Sequence, residues 1–121
     1  MVPTLRVVCV GRHRYLSEHL ARVFCRFGCD VVTVVGVAEA AGVAASVARA
    51  LDAVLCDYDI LVALSAEEWR EIPLLSVGRV IAVSLNRRAD ELPLLGLRGA
   101  SGFLYLPKVT REAALAAIKH D

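Results

Sequence analysis

The sequence predicts an α/β domain: a parallel β-sheet covered by helices on both faces. Three observations lead there. Short runs of Val, Leu, Ile and Cys alternate five times with segments of helical apolar spacing, the pattern of repeated strand-helix units. Those runs are apolar at nearly every position rather than every second one, which marks strands buried on both faces. The hydrophobic content is 57%, yet aromatic residues make up only 6%, so the excess is the Ala, Val and Leu that fill such a sheet. The chain has 121 residues with no Gly-, Ser- or Pro-rich linker, which fits a single domain over 1–121 with one core.

The elements follow in order. Residues 5–10 form the first strand, and 14–27 an amphipathic helix with Leu16, Leu20, Val23, Phe24 and Phe27 inward and Gly28 as its stop. Residues 30–35 are the second strand, 38–50 a small-residue helix, and 53–56 the third strand. Ser65 and Glu68 have capping-box spacing, which starts a helix that Pro73 soon disrupts. Residues 79–84 form the fourth strand, and Asp90 caps a helix to about Arg98 with Pro93 in its first turn. Residues 101–106 are the fifth strand, and Thr110 caps a last helix over 111–119. Right-handed crossovers between these units give a (βα)5 flavodoxin-like three-layer sandwich, with 2-1-3-4-5 as the natural strand order.

In that order the first and third strands adjoin, and ligands collect at the carboxyl ends of the strands. Asp57 ends the third strand, facing the turn of Gly11, Arg12 and His13. Ser84 and the Leu106-Pro107 turn complete the rim. Adjacent strands lie about 4.8 Å apart, so Arg12 is expected to lie against Asp57 and supply a permanent cation there. The plainer alternative is an Asp57 that only caps its own loop or helix.

These positions carry a resemblance over about residues 5–119. The chain resembles a receiver domain of two-component response regulators. Asp57 after Ala53-Val54-Leu55-Cys56 is similar to the phosphoacceptor, and Ser84 to the hydroxyl residue that steadies the phosphoryl group. The stretch from Gly99 to Leu104 resembles the family's Gly-Ala entry into the fifth strand, with Phe103 at the switch aromatic. The resemblance implies a signalling module that is not an enzyme, while the lack of a membrane-length apolar run and of a secretory start predicts the cytoplasm. It also implies transcriptional control where the chain is the N-terminal part of a longer regulator with a DNA-binding domain.

The departures make it resemble a degenerate, or pseudo-receiver, form. Where receivers carry an acidic pair that holds Mg²⁺, this chain has Gly11 and Arg12, so the acidic-pair positions are lost and no metal or cofactor is expected. Leu106 stands where the family has lysine, with Lys108 two residues later. Residues 60–63 replace the motif that usually follows the acceptor. The expected function is therefore a phosphorylation-independent module acting through a protein partner or a homodimer. Small residues on the last helix, Ala113, Ala116 and Ala117, permit close approach. The alternative is a functional receiver phosphorylated on Asp57 by a histidine kinase, controlling an attached or partner output domain such as a DNA-binding transcription regulator.

Other function classes fare worse. The net charge of +1 gives no basic excess for direct nucleic-acid binding. Arginines outnumber acids in the first 29 residues, but Glu18 and Arg22 stand four apart, so this reads as a solvated helix face with that pair joined. One glycine in the first turn is too few for a dinucleotide or P-loop site, and a cobalamin motif lacks its Asp and Gly. His13 and His19 have no nucleophile or orienting group beside them. Cys9, Cys25, Cys29 and Cys56 form no CxxC pair and read as packing thiols. No apolar run approaches a membrane span, and the N-terminus lacks a secretory layout.

Overall fold

The computed structural model of the protein describes residues 4–77, 79–85 and 100–119. Five strands, β1 (Arg6–Gly11), β2 (Asp30–Val35), β3 (Ala53–Asp57), β4 (Val80–Ser84) and β5 (Ala100–Tyr105), form one sheet in the order β2-β1-β3-β4-β5. Every pairing is parallel. The expected sheet and strand order are therefore observed. β3 and β4 are buried at every position, which is why their sequences carry no alternation.

Helices cover both faces. On one, Val8, Val10, Val54, Cys56, Val80 and Ala82 pack against α2 (Gly36–Ala41), α3 (Ala45–Arg49), α4 (Tyr58–Ala63), α5 (Ala66–Glu71) and α6 (Pro73–Ser76). On the other, Val7, Cys9, Ala53, Leu55, Ile81 and Val83 pack against Leu16, Leu20 and Phe24 of α1 (Arg14–Arg26) and Ala114 and Ile118 of α7 (Arg111–Lys119). Among the described residues no helix is long and apolar enough to cross a membrane.

Local chemistry accounts for most boundaries. α1 closes in a Schellman turn: the Cys29 N–H donates to the Phe24 carbonyl at 3.1 Å and the Gly28 N–H to the Cys25 carbonyl at 3.0 Å. Gly28 supplies the left-handed φ of +92° that this turn needs. Ser65 and Glu68 form the full capping box of α5. Pro73 ends one helix and begins the next: Ile72 is extended, as a residue before proline prefers, and Pro73 opens α6. Thr110 Oγ1 accepts the Ala113 N–H at 3.1 Å, capping α7 as expected.

Three expectations are corrected. The helix expected over 38–50 is two short helices broken at Gly42, with Ala44 extended. Only Ala40 and Ala48 are buried from them, so little apolar area opposes the break. A helix, α4, follows Asp57 directly where none was foreseen; its apolar run of Ile60, Leu61 and Val62 matches strand and helix equally. The fifth strand runs one residue earlier than expected, and Leu106 to Lys108 forms a 3₁₀ turn instead. The helix expected from Asp90 to Arg98, with Pro93, lies outside the described residues, as does Gly99.

Candidate functional site at the carboxyl edge of the sheet

The site begins with a clip that the sequence did not advertise. Ser17 on α1 is fully buried. It accepts the Gly11 N–H at 2.9 Å and donates to the Val34 carbonyl at 2.8 Å, tying β1, α1 and β2 together. A Cβ at Gly11 would stand 2.6 Å from the Ser17 nitrogen and 2.7 Å from its hydroxyl oxygen. Position 11 can therefore carry no side chain, and no carboxylate, while this clip is in place. His13 Nδ1 accepts the Leu16 N–H at 3.2 Å and caps α1.

Between Gly11 and His13, Arg12 reaches across to the third strand. Its Nε lies 2.5 Å from Asp57 Oδ2, and its Nη1 lies 3.0 Å from Asp59 Oδ2. The expected contact forms, and it enlists a second carboxylate, Asp59, that sequence reasoning missed. The carboxylate pattern at 57 and 59 was the available signal; only the helical turn of α4 aims both at one guanidinium. The plainer reading of Asp57 also holds in part, since its Oδ1 accepts the Asp59 N–H at 3.3 Å and caps α4.

Burial decides the electrostatics. The Asp57 side chain is only 5% exposed and that of Arg12 is 48% exposed. Burial therefore raises the Asp57 pKa above the ordinary 3.8, against the lowering effects of the Asp59 N–H and the Arg12 charge. Arg12 acts on Asp57 through its charge and, secondarily, through a side-chain hydrogen bond at this contact. The neighbouring Cys56 thiol is pushed far up by burial and by Asp57, which keeps it protonated and inert.

Arg12, Asp57, Asp59, Ser84, Leu85 and Leu106 share a cavity of about 40 Å³ with Leu16, Leu20 and Val83. The rim positions picked from sequence, Asp57, Ser84, Arg12 and Leu106, thus meet in one place. The volume suits a water or two and falls far below the several hundred Å³ of an organic cofactor pocket. Leu106 is buried there while Lys108 is exposed in the 3₁₀ turn, so the cavity wall at that point is apolar. Phe103 does not line the cavity. It packs edge-on against the buried Tyr58 ring, centroids 6.2 Å apart at 88°, and Tyr58 is the residue next to Asp57.

A Mg²⁺ ion does not fit these residues. Hard divalent cations want several oxygen ligands. Both rim carboxylates already face one guanidinium, position 11 excludes a third, and no group of three or more ligating side chains occurs among the described residues.

Comparison of the sequence with protein-family models and with curated proteins gives no match. Solved structures do match. A response regulator receiver domain from Clostridium thermocellum superposes with a TM-score of 0.72 at 19% identity, over 94% of this chain and 90% of that one. This chain has the receiver fold. The chemotaxis response regulator CheY4 of Vibrio cholerae gives a TM-score of 0.68 at 18% identity, covering 97% and 98% of the two chains. A response regulator from Burkholderia pseudomallei, solved with a phosphorylated aspartic acid and a calcium ion, gives 0.66 at 19% identity, over 96% and 67%. In this fold Asp57 stands at the end of the third strand, on the carboxyl edge where open α/β sheets collect ligands.

Proposed function

We propose that the chain is a receiver-fold signalling module that works through protein contacts, without phosphorylation of Asp57 and without enzymatic activity. The observation that carries this reading is Arg12, whose guanidinium faces both Asp57 and Asp59. Transfer of a phosphoryl group to a carboxylate needs that oxygen free to attack and the phosphoryl charge neutralised in a fixed geometry. Here the cation neutralises the nucleophile itself, Gly11 cannot bear a metal ligand, and the Leu106 position offers no charge. The module is then a scaffold whose information lies in its surface, with a protein partner or a second copy as its target.

A second reading rests on Asp57, Asp59 and Ser84 lining one cavity. In it, Asp57 is phosphorylated by a histidine kinase and controls an attached or partner output domain. Incubation with acetyl phosphate and Mg²⁺, read by intact mass, separates the two. An unchanged mass is expected. A stoichiometric phosphoryl adduct that disappears in Asp57→Asn overturns the first reading in favour of the second.

A further inference from the structure

The reading above, on which this inference rests, removes the phosphoryl group as the module's input, and a groove beside α1 offers another. Its volume is about 390 Å³, against about 40 Å³ for the Asp57 cavity, which places it among pockets that hold small molecules. One wall is a stripe of α1, His19, Val23, Arg26 and Phe27, whose spacing puts them on one helix face. The opposite wall is Leu106, Pro107 and Val109, in and just after the 3₁₀ turn. Val23, Phe27 and Val109 are half-buried: each rests on the core beneath and leaves one side open. The walls are fixed before any ligand arrives. The Phe27 ring meets the buried Phe24 ring edge-on, centroids 5.6 Å apart at 87°, and Arg111 Nε of α7 donates to the Phe27 carbonyl at 3.3 Å. A preformed site loses less conformational freedom on binding.

The polar residues of the groove set the charge of its occupant. No carboxylate lines it; its ionisable lining residues are His19 and Arg26. Neither makes a hydrogen bond or ion pair with another described residue, so both can turn their N–H donors to a ligand. The expected pairing of Glu18 with Arg22 on the same helix is absent as well. Arg26 is a permanent cation whose planar fork takes a carboxylate through two parallel hydrogen bonds. Lys108, exposed between Pro107 and Val109, adds positive charge on the other side. Seven residues of helix separate His19 from Arg26, about 10 Å along the axis. The cation and the second donor therefore bracket an apolar middle.

Leu85 and Leu106 line both this groove and the Asp57 cavity, and so form the partition between them. Leu106, at the position where the resemblance expects lysine, makes that partition apolar. We infer that the groove binds a small organic carboxylate with an apolar body, and that this ligand is the module's input, felt at the Asp57 cavity through Leu85 and Leu106. The carboxylate sits on Arg26, and the body lies against Val23, Phe27 and Leu106 towards His19. α1 begins at the carboxyl edge of the sheet, just after Gly11, so the body points up to the partition and the charge stays at the lower, open end.

An amide NMR titration of the intact chain with octanoate tests this, with octanol as the neutral comparison and circular dichroism confirming that the variant folds. Octanoate is expected to shift the amides of Val23, Phe27 and Val109, and with them those of Asp57 and Ser84. It should bind about tenfold or more tightly than octanol, and Arg26→Gln should remove that advantage while leaving octanol binding unchanged. Octanol binding as well as octanoate, an Arg26→Gln variant with undiminished octanoate affinity, or shifts that never reach Asp57 and Ser84 would each overturn the inference. So would groove shifts that grow with protein concentration without ligand, because a second copy would then cover the groove. Intact mass after phosphodonor treatment is read separately. A phosphoryl adduct overturns the reading above whatever octanoate does, whereas absent binding with an unchanged mass overturns this inference alone.

Discussion

Position 12 carries the strongest functional statement in the chain. At Asp57 burial favours the neutral form, the Asp59 N–H and then the half-exposed Arg12 guanidinium favour the charged form, and burial is the largest of these effects. Removing the guanidinium leaves only the Asp59 N–H to oppose burial. In Arg12→Ala the Asp57 pKa, followed by carboxyl NMR, is therefore expected to rise above its wild-type value; an unchanged or lower pKa would contradict the pairing. Gly11 makes the companion point. Gly11→Ala drives a methyl to 2.6 Å from the Ser17 backbone nitrogen, an overpacked contact expected to cost about 1–3 kcal/mol. Ser17→Ala leaves the Gly11 N–H and Val34 carbonyl without their partner, a loss of ~1–3 kcal/mol. Chemical denaturation of both variants checks these figures.

Among the elements, α7 depends on a tie that its own sequence does not contain. Arg79, just before β4, donates from Nη1 to the Ile118 carbonyl at 2.5 Å and from Nη2 to the Ala117 carbonyl at 2.7 Å. A cation there meets both the unpaired carbonyls and the negative end of the helix dipole. Arg79→Met keeps the aliphatic stem and removes both bonds. It is expected to cost about 1–2 kcal/mol and to speed amide hydrogen exchange in the last turn of α7 more than elsewhere. Uniform exchange rates across α7 and the sheet would contradict that role. α2 and α3 show the reverse case: two short helices of small residues with no side-chain caps, held by the sheet they cover rather than by their own propensity.

For the molecule as a whole, the raised Asp57 pKa becomes a stability statement. The folded chain holds the Asp57 proton more tightly than the unfolded chain, whose carboxyl titrates near the ordinary 3.8. More protons are bound in the folded state within the window from there up to the raised value. Stability therefore falls as pH rises through that window and levels off above it. Asp57→Asn removes this contribution, so the difference in unfolding free energy between wild type and variant should change with pH inside the window and be flat above it. A difference independent of pH throughout would show that Asp57 titrates alike in both states.

The amino-acid sequence alone determined the architecture, because it is written in local terms: uninterrupted apolar runs for doubly covered strands, helical spacing for their covers, and Gly28, Ser65 and Thr110 as stops and caps. The strand order 2-1-3-4-5 was the natural candidate for five such units, and the facing of Arg12 and Asp57 followed from that order. Tertiary structure decided what depends on residues distant in sequence or on helical phase. Ser17 looks like any polar residue on α1 until Gly11 and Val34 arrive from two strands to occupy its hydroxyl. Asp59 joins Arg12 only because α4 starts at Tyr58 and turns it inward. The balance at Asp57 was also out of reach of the sequence, since a pKa follows desolvation and distance, and neither exists until the strands are packed.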